Sequence, residues 1–454
     1  MIVLLTALLL IITFFFYSFF KGDFLSPTLI SSSLFLLFSF LYCVLYPYIQ
    51  EDITAKTVIV IILTMFSIFV GEVVSKKINI KHITKTNVIS SGIAKDIIFS
   101  KKVIIIWFII MLITAIYRFY DLYQFSRTLG NSSIWSTTAS VRLALVKGLY
   151  TGDVNHLNMI TFLFTGMSEI ICYASIYYLT YRLVYFKIFD KMLLLPIVGY
   201  CLILVSFTSR TDYIKLAIGF ILVYMFLSMR KNGTVGISSK TITRLIRFGI
   251  FAVIFFFGYG YITRLGGGES DATNTSLANN IVAYAPAAIL GLSRFLSNQI
   301  GLGFGKGFGT NGYFGYWTLQ DLYTSFGITH VSVPQSNLKM FYYGNNVRSN
   351  IYTALVLPIQ DYGMLASLII KFFEGVFAGI VLKFFKQSKI MTNSGVILWV
   401  LYTQIYYCFF YLPIADRFMQ YLSFSTLVKY TIFAYITIGF LFPYRTVNKL
   451  KVME

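Results

Sequence analysis

The sequence predicts an all-α integral membrane protein. Of its 454 residues, 57% are hydrophobic and only 12% are charged. Apolar runs of about 18–20 residues recur along the chain, which is the length that an α-helix needs to cross a bilayer. A spanning helix satisfies its backbone hydrogen bonds internally, so a chain of this composition is expected to cross the membrane as helices. These observations exclude a soluble globular domain.

Eleven segments are predicted to span the membrane. The first apolar run begins at Ile2 with no basic residue ahead of it and with Lys21 behind it. That arrangement differs from a cleavable signal peptide, so the run is interpreted as the first span. The predicted spans are 2–20, 29–48, 57–75, 103–120, 158–180, 192–208, 213–229, 246–262, 363–382, 395–412 and 425–442.

The loops between the spans differ in charge. Loops 76–102, 181–191, 230–247 and 383–394 are basic, and so is the carboxyl-terminal tail. By the positive-inside rule these segments are cytoplasmic. They alternate with the predicted spans, which places the amino terminus outside and the carboxyl terminus in the cytoplasm.

A long polar stretch interrupts the series of spans. It divides the chain into helices 1–8 (1–262), an external loop (263–362) and helices 9–11 with a cytoplasmic tail (363–454). Within the loop, the segment 287–296 is apolar but too short to span, and it is predicted to form an interfacial or re-entrant helix. The loop is expected to cover a functional site on the external side.

The net charge of +20 does not indicate nucleic-acid binding. Most lysines and arginines lie on the predicted cytoplasmic rim, strung over several loops without an aromatic stacking platform. They are typical of a topology signal that also attracts anionic membrane lipids.

Several arginines lie on the predicted external side, against the orientation signal, and four of them are placed where a charged lipid headgroup could reach them. They are Arg210, Arg264, Arg294 and Arg348. A planar guanidinium binds phosphate oxygens at two points, so several arginines converging on one cavity would suit a diphosphate. The alternative is that each is an independent snorkelling or salt-bridged residue.

Candidate catalytic bases are few on the external side. Asp361 lies at the start of the ninth predicted span, and His330 lies in the long loop and titrates near neutral pH. The alternatives are a helix N-cap for Asp361 and a plain loop residue for His330. No His/Glu spacing typical of zinc occurs, and the sequence implies neither a metal nor another cofactor.

Aromatic residues near the glycine-rich run 301–309 are candidate sugar-binding groups. Tyr313, Tyr316 and Trp317 could stack on sugar rings or belong to an interfacial aromatic belt. Tyr352 is a further, weaker candidate. The glycine-rich run is not a phosphate loop of the ATP-binding kind, because Lys306 is followed by Gly307 instead of Ser or Thr.

Charged residues inside predicted spans indicate a polar interior. Lys371 and Glu374 share a helix face at i, i+3 spacing and are expected to neutralise each other. Glu169 has no such neighbour and is expected to face the bundle interior. The four cysteines fall inside predicted spans and are interpreted as small buried hydrophobic residues.

Several features of the sequence resemble those of a known protein family. Multiple spans, one long external loop and the turn Thr208-Ser209-Arg210-Thr211-Asp212 are similar to O-antigen polymerases, also called oligosaccharide repeat unit polymerases (Wzy type). The resemblance is strongest in Asn350-Ile351-Tyr352-Thr353 and Gln360-Asp361-Tyr362-Gly363-Met364-Leu365. Arg294 and Gly305 match the spacing of arginine, ten residues and glycine described in some members. This chain has one external copy, whereas the described pattern uses two loops.

The resemblance implies a function and a location. Such a protein is a bacterial inner-membrane glycosyltransferase with a fold like that of the GT-C lipid-linked glycan transferases. It extends a glycan carried on undecaprenyl diphosphate by transferring it to a new lipid-linked unit outside the inner membrane. Expected partners are undecaprenyl-diphosphate-linked oligosaccharide, membrane lipids, a chain-length regulator and a flippase. Two other functions stay open: a flippase for lipid-linked oligosaccharide, and an O-antigen ligase.

Overall fold

The computed structural model describes most of the chain. It covers residues 1–78, 96–128, 159–206, 211–233, 277–297, 341–343, 347–349, 351–388, 392–422 and 428–447, with single residues and short turns between some of these ranges.

The described part of the chain is mostly helical. Its helices are α1 (Ile2–Phe19), α2 (Pro27–Ile49), α3 (Ala55–Lys77), α4 (Lys101–Thr128), α5 (Met159–Phe186), α6 (Leu194–Val205), α7 (Thr211–Asn232), α8 (Leu277–Ser297), α9 (Val356–Gln387), α10 (Asn393–Tyr411) and α11 (Lys429–Leu441). Eight of them are long and apolar enough to cross a membrane, namely α1–α5, α7, α9 and α10. The fold is therefore that of a multi-pass helical membrane protein.

The predicted spans can be compared with these helices one by one. Eight predicted spans coincide with the eight long helices, and two coincide with the shorter apolar helices α6 and α11. Helix α6 ends at Val205, before the predicted end at 208, and α11 consists largely of π-helical turns. The predicted span 246–262 lies outside the described residues.

Two short antiparallel strand pairs depart from the all-α expectation. Strand β1 (Asp96–Phe99) pairs with β4 (Tyr444–Val447), and β2 (Phe341–Tyr343) pairs with β3 (Val347–Ser349). Strands of three or four residues are too short for an alternating apolar pattern to reveal them in the sequence. The β1–β4 pair also joins segments that are far apart along the chain.

The chain divides into two compact units that do not follow chain order. Unit 1 comprises Met1–Thr84, Glu269–Lys386 and Gln404–Leu427. In it α1 packs on α2, and α8 packs on α2, α3 and β3. The described part of the long polar insertion thus shares a core with the first three helices.

Helices α3 and α9 of unit 1 are in backbone contact. A β-carbon added at Gly71 would lie 2.1 Å from the carbonyl oxygen of Phe372, and one added at Gly375 would lie 2.5 Å from that of Ile68. Small residues at such a crossing let helices approach closely, which is how helices associate where no hydrophobic effect drives them together.

Helix α9 is interrupted at Gly363. This residue has φ 82° and ψ 173°, so two helical segments meet at a kink there. Glycine tolerates this positive φ because it has no β-carbon. The predicted start of the ninth span coincides with this kink, and the first segment of α9 extends the helix back to Val356.

Unit 2 comprises Lys85–Gly268, Gln387–Thr403 and Val428–Glu454. Helix α4 packs on α5 and α6, and α5 packs on α6 and α7. The indole N–H of Trp107 donates a hydrogen bond to the carbonyl oxygen of Leu441 at 3.1 Å, which ties α4 to α11. Tyr173, Tyr177 and Trp399 form a buried aromatic group in this unit.

Candidate anion-binding site at Arg294

The guanidinium of Arg294 is held by a carboxylate from another part of unit 1. Arg294 lies in the last turn of α8, where a positive charge is favoured by the helix dipole. Its Nε donates a hydrogen bond to Oε2 of Glu51 at 3.2 Å, and its Nη2 donates to Oε1. Both side chains keep about a third of their surface accessible, 38% for Arg294 and 34% for Glu51. The salt-bridged alternative is therefore the state in which Arg294 is found.

The loop between α2 and α3 fixes the position of Glu51. The hydroxyl of Tyr42 donates to the carbonyl oxygen of Glu51 at 3.2 Å. The backbone N–H of Thr54 donates to the hydroxyl of Ser293 at 2.9 Å, which joins the loop directly to α8. Helix α8 in turn buries Ile289 and Leu292 in the core of unit 1. The ion pair is therefore held by a loop and a helix that are bonded to each other and packed into the core of unit 1.

Three tyrosines lie near the ion pair. Tyr42 and Tyr343 are buried in the same core, and Tyr352 packs against that core. Burial raises the pKa values of the Tyr343 and Tyr352 hydroxyls, and the charge of Arg294 opposes this shift in both. These phenols are therefore neutral at physiological pH and able to donate hydrogen bonds. Tyr352, a predicted sugar-binding residue, is placed beside Arg294.

Arg348 lies on the strand that packs against α8. It is the central residue of β3, opposite Tyr342 of β2 in the register. Because β3 packs on α8, the backbone of Arg348 runs beside the helix that carries Arg294. Two of the four predicted diphosphate-binding arginines therefore belong to neighbouring elements. Arg210 and Arg264 lie outside the described residues.

Asp361 is buried within α9 and binds a distant turn. Its Oδ2 accepts hydrogen bonds from the backbone N–H and the hydroxyl of Thr318, both at 2.6 Å. Asp361 lies in the first segment of α9, two residues before the kink at Gly363. The sequence pattern missed the first segment of α9 because it lies ahead of the apolar run.

The turn at Thr318 is packed tightly against α9. Gly315 has φ 63°, and a β-carbon there would lie 1.8 Å from the hydroxyl oxygen of Tyr362. The rings of Phe314 and Tyr362 are 4.9 Å apart. This turn lies in the stretch of the candidate residues Tyr313, Tyr316 and Trp317. Those three residues, like His330, lie outside the described residues.

The charges predicted inside spans are paired. The ammonium of Lys371 donates to Glu374 at 2.8 and 3.0 Å, as the i, i+3 spacing predicted, and it also lies 3.7 Å from Asp416. Glu169 is buried in unit 2 as expected, and it is bound there by Lys215 and Lys429. Sequence reasoning found each of these charges but did not find the partners of Glu169. None of the four cysteines forms a disulfide bond.

Sequence reasoning also missed Glu51 and Tyr42. Glu51 lies in a short loop that the predicted topology places on the external side, and this position was the signal that could have identified it.

In the described part of the chain, no three His, Cys, Asp or Glu side chains come together as they would around a metal ion. The chain matches no family model, no curated protein and no solved structure.

Proposed function

We propose that this protein polymerises oligosaccharide repeat units carried on undecaprenyl diphosphate at the outer face of a bacterial inner membrane. The observation that carries the proposal is the Arg294 site. There a guanidinium is held in a fixed orientation, remains partly accessible and lies beside tyrosine hydroxyls and the strand of Arg348. A multi-pass helical fold would place the protein in the membrane, where a lipid-linked substrate is also found.

The reaction needs no nucleotide sugar. A hydroxyl of the nonreducing sugar on the acceptor unit attacks the anomeric carbon of the donor glycan. The bond from that carbon to the diphosphate oxygen breaks, and undecaprenyl diphosphate leaves with the electron pair. The proton of the attacking hydroxyl passes to a base, for which Asp361 and His330 are the candidates. No metal or cofactor is part of the proposal.

Arginines stabilise the leaving group in this proposal. Negative charge develops on the diphosphate as the bond breaks, and preorganised donors stabilise that charge without reorganising. Arg294 and Arg348 are the proposed diphosphate-binding residues of unit 1, and Arg210 and Arg264, which lie outside the described residues, are proposed from the sequence. Tyr352 beside Arg294 would contact the sugar next to the diphosphate, and Tyr313, Tyr316 and Trp317 would stack on sugars further along the glycan.

Glu51 has a defined place in the proposal. Carboxylate and phosphate bind the same two-pronged edge of a guanidinium, so a diphosphate would compete with Glu51 for Arg294. Glu51 would therefore hold the guanidinium in position before substrate binds and give way when the diphosphate arrives. It is a positioning residue and not a catalytic one.

Reconstitution tests the proposal directly. Purified protein in liposomes is given a synthetic undecaprenyl-diphosphate-linked repeat unit, and products are separated by gel electrophoresis. A ladder of lengthened glycans supports polymerisation. Transfer of a single glycan to lipid A would instead identify a ligase, and movement of the lipid-linked unit across the bilayer without new bonds would identify a flippase. Either of these results, or no reaction, contradicts the proposal.

A further inference from the structure

A second polar cluster lies inside unit 2. Glu169 of α5 is its centre, and we call the group formed by Glu169, Lys215, Lys429 and Tyr430 the Glu169 cluster. Lys215 of α7 donates to Oε1 of Glu169 at 3.0 Å, and Lys429 of α11 donates to Oε2 at 2.6 Å. The hydroxyl of Tyr430 donates to Oε1 and accepts from Lys215 at 2.7 Å.

The Glu169 cluster carries an excess of positive charge. Two ammonium groups share one carboxylate, and the side chains of Glu169 and Lys215 are almost fully buried. Both ammonium groups also lie over the ring of Tyr430, at 5.2 Å for Lys215 and 4.8 Å for Lys429. Ionisable groups at membrane depth are costly and mark functional sites by default. A net cation in such a place favours the binding of an anion.

Hydroxyl groups of α5 lie next to the cluster. Thr165 shares a helix face with Glu169, one turn before it, and Ser168 directly precedes Glu169 in the chain. Both side chains are buried, and neither hydroxyl oxygen has a hydrogen-bond partner among the residues that the structure describes. A buried hydroxyl without a partner destabilises a fold, so a ligand that accepts its hydrogen bond would bind favourably. The cluster therefore offers hydroxyl donors as well as ammonium groups.

Lys429 gives the cluster a route to the surroundings. Its side chain is 22% exposed, whereas those of Glu169 and Lys215 are 5% exposed. It is the first residue of α11, and its stem packs against Gly166, where a β-carbon would come within 3.3 Å of it. The first turn of α11 is π-helical, a geometry that occurs frequently at functional sites.

We propose that the Glu169 cluster, with the hydroxyls of Thr165 and Ser168, is a binding site for a phosphate oxyanion. Lys429 would contact the anion first, and the two hydroxyls would donate hydrogen bonds to it. The phosphate could belong to a lipid headgroup or to free phosphate, since both present the same oxygen atoms. This site is separate from Arg294 and does not rest on the proposed polymerase activity.

Binding measurements on the full-length protein test the proposal. In one arm, protein in phosphatidylcholine nanodiscs is titrated with inorganic pyrophosphate, and the thermal unfolding temperature gives a dissociation constant, because a ligand of the folded state raises that temperature. In the other arm, protein is purified from phosphatidylglycerol nanodiscs, and native mass spectrometry counts the retained lipid. The first arm reports free phosphate and the second reports a headgroup.

Three variants and one matched control locate the site. We expect Lys429→Gln to weaken pyrophosphate binding or phosphatidylglycerol retention about tenfold, and Lys429→Arg to preserve it. Thr165→Val should also weaken binding, yet without ligand it should unfold at the same or a higher temperature, because it removes a hydroxyl that has no partner. Lys383→Gln is the control, since Lys383 is a partly exposed lysine of unit 1 that donates a hydrogen bond to the carbonyl oxygen of Ile78.

Each result of these measurements either supports or overturns the proposed phosphate site. If Lys429→Gln and Thr165→Val lose one of the two ligands and Lys383→Gln retains it, the result supports the site. The ligand that is lost shows whether the phosphate is free or belongs to a lipid headgroup. If Lys429→Gln fails to fold, Lys429→Arg and Thr165→Val carry the test. Equal binding by all variants overturns the proposal, and so does unchanged binding in Thr165→Val. Because glycan lengthening is not measured, a failed polymerase assay leaves this test intact.

Discussion

Arg294 in the last turn of α8 is bound at two points by Glu51, which lies in the loop between α2 and α3. Residues almost two hundred and fifty positions apart in the chain thus form one partly exposed ion pair. A surface ion pair contributes only about 0–1 kcal/mol to stability. The ion pair also holds the guanidinium of Arg294 in one orientation.

Replacing Arg294 should slow glycan lengthening strongly. We expect Arg294→Ala to reduce the rate of glycan lengthening about a hundredfold, since one preorganised contact to developing charge is worth about 3 kcal/mol of barrier. Arg294→Lys should recover only part of the rate, because an ammonium cannot bind a phosphate at two points. The measurement is the ladder assay at matched protein levels.

Arg127 provides the control for Arg294. It is also an arginine in the last turn of a helix, α4, and it is exposed. Arg127→Ala should lengthen glycans at the normal rate. If Arg294→Ala behaves like Arg127→Ala, Arg294 does not bind the diphosphate.

Removing the charge of Glu51 should tighten substrate binding. We expect Glu51→Gln to lower the KM for the lipid-linked donor by about two- to fivefold, because the ion pair it disrupts is worth up to about 1 kcal/mol. Asp52 is the matched control in the same loop, since it binds the backbone N–H groups of Ile2 and Ile53 instead of Arg294. A KM that rises in Glu51→Gln would contradict the competition between Glu51 and the diphosphate.

Substitution of Asp361 and His330 can show which of them acts as the general base. Loss of the general base should lower kcat about 10²- to 10⁴-fold, so we expect this from one of Asp361→Asn and His330→Gln and not from the other. The pH profile of kcat should lose its acidic limb in the same variant, because that limb reports protonation of the base.

Thr318 separates positioning from catalysis at Asp361. Thr318→Val removes one hydroxyl donor to the Asp361 carboxylate and leaves the backbone N–H donor in place. It should lower the unfolding free energy by about 1 kcal/mol and change kcat by less than about tenfold. A loss in Thr318→Val as large as that in Asp361→Asn would show that Asp361 acts by holding the turn.

The close contact between α3 and α9 predicts that Gly71 does not tolerate a larger side chain. A β-carbon at Gly71 would lie 2.1 Å from the backbone oxygen of Phe372, which a side-chain movement cannot relieve. Gly71→Ala should therefore lower the unfolding free energy by about 1–3 kcal/mol, as overpacking does in protein cores. Gly439→Ala is the control, because a β-carbon there would meet no atom of the described residues within 4 Å. Equal unfolding temperatures for the two variants would contradict the contact.

Residue spacing revealed some side-chain pairs and left others undetected. The pair of Lys371 and Glu374 could be predicted because both residues belong to one helix at i, i+3 spacing. The partners of Glu169 could not, because Lys215 and Lys429 reach it from two other helices. Asp361 was found in the sequence, but its partner Thr318 comes from a turn outside its helix.

The sequence by itself determined the class of this protein. Length and apolar composition decide whether a segment can lie in a bilayer, and both are local properties, so the helices were predictable to within a few residues at most ends. The tertiary structure alone decided that Glu51 meets Arg294 and that α9 begins ahead of its apolar run. It also decided that the segment around Arg294 shares a core with the first three helices. Such contacts join residues far apart in the chain, and they depend on how whole helices pack, which no local pattern records.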